Sequence, residues 1–211
     1  MPRFAITSLP ILCGELVRVI GLTGSIASGK STTAGMFASH GIPVHDADAA
    51  VHRLYRGAAV AVVEAAFPGV TTEGVVDRAR LAVRVIGDEA ALARLEAIVH
   101  PLVRESENAF LARERAKGSR LVVIDVPLLF EVVGAERADV IVVTSVDAET
   151  QRRRVLSRPG MTESRLATIL RRQMPDSEKR QRAHFVIDSG HGIDAAEREV
   201  AAILAALAPL S

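Results

Sequence analysis

The sequence has one cysteine, three lysines and one asparagine among 211 residues. A single thiol, Cys13, excludes an intramolecular disulfide and an all-cysteine metal site, so a reducing compartment is the default and we expect a cytoplasmic protein. No apolar run reaches the roughly 20 residues of a membrane helix, which predicts no membrane association. The formal net charge of +1 supplies no overall basic field, so we expect a small-molecule substrate and no nucleic-acid partner.

The composition is otherwise that of a folded domain. Hydrophobic residues make up 49% of the chain, and the length fits one domain or one domain with an insertion. Residues 1–16 contain a short apolar run broken by a proline, without the pattern of a signal peptide. We interpret them as an N-terminal extension ahead of the first core strand.

A glycine-rich turn lies between an apolar stretch and a helix-like stretch within residues 19–33. Gly24, Gly29, Lys30 and Ser31 have the spacing G-x-x-x-x-G-K-[ST], in which backbone N–H groups surround phosphates, the lysine reaches the β/γ oxygens and the hydroxyl binds Mg²⁺. Glycine lets the backbone approach the phosphates closely. The turn therefore predicts a nucleotide-binding loop formed by Gly24, Ser25, Ile26, Ala27, Ser28, Gly29, Lys30, Ser31 and Thr32.

Strands alternate with helices along the chain. Runs of apolar residues predict buried parallel strands, and helical patterns separate them, which indicates an α/β fold with a five-stranded parallel sheet and the strand order of P-loop kinases. The predicted strands are 17–22, 42–45, 121–125, 140–144 and 184–187.

Two segments interrupt this alternation. Residues 49–118 lose the strand pattern and predict helices at 58–67, 77–85 and 88–117, the last interrupted at His100-Pro101. We interpret this segment as an inserted helical lobe for the substrate, placed between core parts 17–48 and 119–211. The second segment, about residues 148–182, contains nine arginines and predicts a lid.

Three aspartates stand at or near the ends of predicted strands, where ligands bind in open α/β sheets. Asp125 ends an apolar strand, as a metal-shell aspartate or a strand-end cap would. For Asp46, a helix cap, a ligand to a Mg²⁺-bound water and a structural hydrogen bond stay open. Asp48 also suits a helix N-cap.

Short motifs recur in a specific order. They are Gly21-Leu22-Thr23-Gly24, Asp46-Ala47-Asp48 with His52, Gly74 with Asp77-Arg78, Leu95-Glu96 before His100-Pro101, Pro127-Leu128-Leu129-Phe130-Glu131, Gln151 with Arg154 and Arg158, Gln173, and Val186-Ile187. In this order the sequence resembles the dephospho-coenzyme A kinase family over residues 17 to about 205. Ser25 replaces a frequent glycine, and Ser189 replaces a usual asparagine, of that family.

The resemblance implies phosphorylation of the 3′-hydroxyl of dephospho-CoA by ATP, with Mg²⁺, as the last step of coenzyme A synthesis. It implies that Asp48 accepts the hydroxyl proton, with Lys30, Arg154 and Arg158 as the other catalytic groups. Ser31 and Asp125 would serve the metal. The substrate side would contain His52, Arg78, His100, Pro127 and Leu128.

Arg154 and Arg158 are four residues apart, which places them on one helical face. They could close over ATP or belong to a solvated basic face, as most of their arginine neighbours do. Surface ion pairing is likewise the alternative for His52 and Arg78.

Two other functions share parts of this pattern. One is a different P-loop kinase, acting on a nucleoside, a nucleotide or a small alcohol. The other is a nucleotide-dependent switch, but a guanine reader needs N-K-x-D, and Asn108 is followed by Ala109. The sequence makes no prediction of oligomeric state.

Overall fold

The computed structural model describes residues 17–208, so the predicted extension at 1–16 lies outside the described residues. Five strands form a parallel sheet: β1 (Arg18–Gly24), β2 (Val44–Asp46), β5 (Leu121–Asp125), β6 (Val140–Ser145) and β7 (Phe185–Asp188). Their order is β2-β5-β1-β6-β7, which confirms the predicted parallel α/β sheet. A separate two-stranded hairpin pairs β3 (Thr71–Thr72) with β4 (Val75–Val76).

Helices cover both faces of the sheet and form the inserted lobe. In chain order they are α1 (Lys30–Ser39), α2 (Ala47–Leu54), α3 (Val60–Ala66), α4 (Arg78–Val85), α5 (Glu89–Ala116), α6 (Ala148–Leu156), α7 (Glu163–Arg172), α8 (Asp176–Arg182) and α9 (Ile193–Leu207). Among residues 17–208, no helix is long and apolar enough to cross a membrane.

The sheet is buried on both faces, which explains its continuous apolar strands. On one face Ile20 and Leu22 pack with Phe37 of α1 and Val200 of α9. On the other face a second cluster packs around Phe110 of α5. The central strand β1 is therefore held by a neighbouring strand on each side and by a hydrophobic cluster on each face. The loop that follows β1 thus begins at a fixed position.

The inserted lobe has its own core, which includes Val63, Val70, Leu81 and Leu95. The expectation that the strand pattern is absent from this segment was wrong, because β3 and β4 form a hairpin there. Its turn residues, Glu73 and Gly74, both have positive φ, at 51° and 75°. Two such residues form the turn that matches the twist of a hairpin.

The predicted interruption at His100-Pro101 was also wrong, because α5 continues through Pro101. Proline removes one helical N–H donor and disfavours a helix interior. Leu95 and Val99 before it and Phe110 after it are buried. Packing on both sides of the proline holds the helix together, and local propensity does not decide the outcome.

Four of the five predicted strands differ from the structure by one or two residues at their ends, and β1 and β2 illustrate the cause. Strand β1 extends to Gly24, because Thr23 and Gly24 pair with Val143 and Thr144 of β6. Strand β2 begins at Val44 instead of residue 42. Strand β2 lies at the edge of the sheet and pairs with β5 alone. It ends at Asp46, because that residue is the N-cap of α2.

Candidate active site

A cleft of about 670 Å³ contains the loop that follows β1. All nine predicted nucleotide-loop residues line it, together with Asp48, Pro127, Arg154 and Arg158. The structure therefore brings the phosphate loop, one strand-end aspartate and both lid arginines to a single cavity.

A buried hydroxyl pair fixes the loop against the neighbouring strand. The hydroxyl of Thr144, in β6, donates to the carbonyl oxygen of Thr23, with 3.3 Å between the two oxygens. Its only proton is used there, so Thr144 Oγ1 accepts from Ser28 Oγ at 2.7 Å. A side chain on Gly24 would collide with both hydroxyl groups, so the first glycine of the motif makes room for this contact.

The second glycine of the motif is required by its backbone. Gly29 is the N-cap of α1 and has φ of 94°, in the region that favours glycine. A Cβ atom at this position would lie 2.9 Å from the Cβ of Ser189. The first turn of α1 therefore lies at the cleft. The N–H groups at a helix N-terminus have no partner within the helix, so they favour binding of an anion.

Lys30 and Asp125 form an ion pair behind the loop. The Asp125 side chain is 2% exposed, and its burial raises the pKa of that carboxyl, against the opposing charge of Lys30. The negative charges of Asp46 and Asp48 raise the pKa of Asp125 further. The carboxylates of Asp46 and Asp48 are thus near enough to act on that of Asp125, and Lys30 neutralises part of this negative charge.

The two aspartates at the start of α2 have different surroundings. Asp46 is the N-cap, and its carboxylate accepts from the Ala49 N–H at 2.9 Å. Among its three open alternatives, the structure shows the helix cap. Asp48 lies in the first turn of the helix, is exposed and lines the cleft, so the cap alternative for Asp48 was wrong.

The two lid arginines also differ. The Arg154 guanidinium donates to Ser189 Oγ and to the Ser189 carbonyl, each at 2.8 Å, and to the Ala27 carbonyl at 3.3 Å. Helix α6 ends at Leu156, so Arg158 follows the helix instead of sharing its face. Both side chains still line the cleft, and Arg154 holds protein groups there.

The predicted substrate residues are only partly brought together. Arg78 donates to His52 Nε2 at 2.6 Å, and both side chains are exposed on the lobe. Since arginine has no acceptor, His52 carries its ring proton on Nδ1 in this contact. Pro127 lines the cleft, and its carbonyl accepts from Thr23 Oγ1 at 3.1 Å.

The other two predicted substrate residues lie elsewhere. His100 is exposed on α5 and is not among the residues lining the cleft. Leu128 follows Pro127 but does not line the cleft either. His100 thus lies within a continuous helix instead of at a helix break, and its expected role in the substrate pocket stays a prediction.

Several cleft residues were not assigned from the sequence. Ser189, Gly192 and Ile193 follow β7, and Gln173 ends α7. The first three had a signal, because the carboxyl ends of parallel strands meet at the ligand edge of the sheet. The further lining residues missed are Thr33, Met36, Ser157, Ile169 and Ala196.

A parallel sheet carries a glycine-rich loop after its central strand, and Lys30, Arg154 and Arg158 line the same cleft. This arrangement is that of a kinase of the P-loop class. Solved structures agree at the level of the fold. A shikimate kinase from Acinetobacter baumannii is 19% identical, covers 92% of this chain and 97% of its own, and has a TM-score of 0.51.

The family follows from closer relatives. The model of the dephospho-CoA kinase family matches residues 18–195. A dephospho-CoA kinase from Mesorhizobium japonicum is 62% identical over 88% of this chain and 94% of its own. One from Rhizobium meliloti is 54% identical over 88% and 96%. This chain belongs to the dephospho-CoA kinase family.

A crystal structure from Thermus thermophilus supports the same architecture. It is 36% identical, covers 92% of this chain and 99% of its own, and has a TM-score of 0.79. The resemblance inferred from the ordered motifs is thereby confirmed, and the enzyme is a phosphotransferase with an alcohol acceptor.

Proposed function

We propose that this chain transfers the γ-phosphoryl group of ATP to the 3′-hydroxyl of dephospho-CoA, giving CoA and ADP, and that Asp48 accepts the hydroxyl proton. The observation that carries the proposal is that Asp48 and the phosphate loop line one cleft. A carboxylate there suits a neutral hydroxyl, which must lose a proton. It repels a phosphate acceptor, which is already ionised at neutral pH.

The nucleotide would lie along the loop. The N–H groups at the start of α1 and the Lys30 ammonium face the β and γ phosphates in P-loop kinases, and the same groups line this cleft. Three apolar residues, Met36, Ile193 and Ala196, also line the cleft and offer a surface for the adenine ring. Ile193 is 69% exposed, which a bound base would cover.

Mg²⁺ suits the oxygen groups beside the loop. The metal prefers few protein carboxylates together with phosphate oxygens and water. Asp125 supplies a buried carboxylate whose charge Lys30 only partly compensates, and Ser31 supplies a hydroxyl at the cleft surface. When bound there, Mg²⁺ neutralises charge on the β and γ phosphates.

The transfer step follows from these positions. The 3′-oxygen attacks the γ-phosphorus while its proton passes to an Asp48 carboxylate oxygen, and the bond from the γ-phosphorus to the β–γ bridging oxygen breaks. Arg158 stabilises the charge that develops on the transferring group. Because Arg154 is held by Ser189 and Ala27, its role is to keep the loop and the β7–α9 segment together.

The acceptor is tested with a panel of alcohols and nucleotides. We expect dephospho-CoA to give a kcat/KM at least ~10²-fold above that of CMP, UMP, uridine or shikimate, roughly 2.7 kcal/mol of discrimination. ADP release is measured at saturating ATP and Mg²⁺, and the product is identified by mass. Equal or faster turnover of any competitor would overturn the acceptor assignment and leave the kinase class intact.

A further inference from the structure

The tip of the phosphate loop is held on both sides of one residue. The Ile26 N–H donates to Gln173 Oε1 at 3.0 Å, and the Ile26 carbonyl accepts from Gln151 Nε2 at 2.9 Å. Gln151 belongs to α6, and Gln173 is the residue that ends α7. Two glutamine side chains, one from α6 and one from the end of α7, therefore bind the backbone of the same residue. One side-chain amide donates through its NH₂ group, and the other accepts through its oxygen.

The backbone at this tip has a conformation that needs outside support. Ala27 has φ of 59°, which is unusual for a residue with a Cβ atom. Such conformations persist where the surrounding structure fixes them, and they concentrate at functional sites. Ile26 immediately precedes Ala27, so the two glutamines act at the point where the loop turns towards the cleft.

Gln173 itself is fixed by a buried charged group. The next residue, Met174, donates its N–H to Glu131 Oε1 at 2.7 Å. Lys179 of α8 is fully buried, and its Nζ lies 2.9 Å from the same carboxylate oxygen. The connection between α7 and α8 is thereby attached to the core, and the Gln173 side chain starts from a fixed position.

We propose that Gln151 and Gln173 are positioning residues that set the phosphate loop for the triphosphate before the nucleotide arrives. The inference rests on the proposed function for its kinetic effect. Gln173 holds the Ile26 N–H and the Ser25 carbonyl holds the Ser28 N–H, so the amides of Ala27, Gly29 and Lys30 are left to face the phosphates. Losing either glutamine weakens ATP binding more than it slows the transfer step.

The kinetic test uses the three glutamines of the chain. Methionine preserves their length but neither donates nor accepts as an amide does, and exposed Gln181 on α8 is the matched control. We expect Gln151→Met and Gln173→Met each to raise the KM for ATP about tenfold, or ~1.4 kcal/mol, with kcat within about threefold. Gln181→Met should match the unmodified enzyme.

The double variant tests whether the two side chains act on one element. Residues that support the same group give non-additive effects. We expect the double variant to raise the KM for ATP by about 10- to 30-fold, well below the ~100-fold product of independent effects. Full additivity, or an unchanged KM in both single variants, would overturn the proposal.

Hydrogen exchange without nucleotide provides a readout independent of catalysis. Gln151 donates to the Ile26 carbonyl and not to the Ile26 amide, yet Gln151→Met should accelerate exchange of that amide, because the whole loop tip becomes more mobile. Gln173→Glu keeps an acceptor for that amide and should preserve its protection, whereas Gln151→Glu removes the donor and should not. Equal acceleration throughout α6–α8, with a lowered Tm, would indicate a purely structural role and contradict the inference.

The two proposals fail separately. If the unmodified chain does not phosphorylate dephospho-CoA, the acceptor assignment fails while the exchange pattern still tests the loop. If it does and the glutamine variants change neither KM nor exchange, the positioning role alone is wrong.

Discussion

The two walls of the cleft are built differently. On the proposed nucleotide wall, Ser28 is 1% exposed and Thr144 is fully buried. The loop donates hydrogen bonds to β6 and to the end of α7 and accepts one from α6. On the proposed acceptor side, Asp48 is exposed and lines the cleft, and His52 and Arg78 are exposed on the lobe and are not among the lining residues. The proposed nucleotide wall is therefore built from buried contacts, whereas the proposed acceptor side presents side chains at the surface.

This difference follows from what each wall has to do. Oriented backbone amides stabilise phosphate charge only if they are fixed before the reaction, because their advantage is that they need no reorganisation. An acceptor hydroxyl is recognised by a few side chains whose identity can vary without disturbing the core. Substitutions on the first wall should therefore cost more than those on the second.

The largest effect is expected at Lys30. Lys30→Ala removes the ammonium beside the phosphates and leaves the buried carboxylate of Asp125 without its partner. We expect kcat/KM for ATP to fall about 10²- to 10³-fold, measured by steady-state kinetics. Lys117→Ala is the control, because Lys117 is exposed and paired with Glu114. Near-normal turnover by a folded Lys30→Ala protein would refute the phosphate-loop assignment.

The next effect separates two neighbouring aspartates. Asp48→Asn keeps the shape but removes the proton acceptor, so kcat should fall about 10²-fold while ATP affinity changes little. Asp46→Asn should retain most activity, because asparagine is also a good helix N-cap. Rate measurements that give the larger loss for Asp46→Asn would exchange the roles assigned to the two residues.

The next prediction compares Arg154 with Arg158. Both line the cleft, and Arg154 also donates hydrogen bonds to Ser189 and Ala27. Arg154→Ala breaks the contacts to Ser189 and Ala27, so it should chiefly raise the KM for ATP. Arg158→Ala should chiefly lower kcat, by about tenfold or more, if it stabilises transition-state charge. Steady-state kinetics with ATP varied distinguish the two. Identical changes in both variants would remove the distinction drawn between them.

The sequence predicted the nucleotide wall well, because its signals are local. The loop is predicted by the spacing of Gly24, Gly29, Lys30 and Ser31, and the buried strand is predicted by the apolar stretch before it. The parallel sheet followed from the alternation of strands and helices. The family followed from the order of motifs that are individually weak.

The acceptor side and the supporting contacts could not be predicted in the same way. His100 lies within an uninterrupted helix because α5 continues through Pro101, which packing against residues distant in the sequence decides. The contact of Arg154 with Ser189 joins residues 35 positions apart, and that of Gln151 with Ile26 joins residues 125 apart. No periodicity or spacing encodes such pairs, because they arise from the way the sheet and lid fold together.

The smallest predicted effect concerns the strand that leads to Asp48. His45 of β2 is 4% exposed, its Nε2 lies 3.3 Å from Ser106 Oγ, and its buried Nδ1 has no partner among the described residues. Burial lowers the pKa of His45, and the positive charges of Arg53 and Arg113 add to this, against Glu107 and Asp46. In the folded protein His45 therefore resists protonation.

The sign of the pH effect follows from that direction. Below the unfolded pKa of about 6.5 the unfolded chain binds a proton that the folded chain does not, so this contribution to stability is present above pH ~6.5 and is lost as pH falls towards the folded pKa. The slope contributed is at most ~1.4 kcal/mol per pH unit. Urea unfolding at pH 7.5 and 5.5 should show it, and His45→Asn should lose it. His191→Asn is the control, since His191 is exposed beside Asp188 and its replacement should leave the His45 contribution unchanged.

Hydrogen exchange locates the same effect in the structure. At pH 5.5 exchange should accelerate in β2 and α2 before it does in the phosphate loop, because the group that becomes protonated, His45, belongs to β2. A matching acceleration of the loop amides would show that the two walls of the cleft open as one unit and would remove the contrast between them.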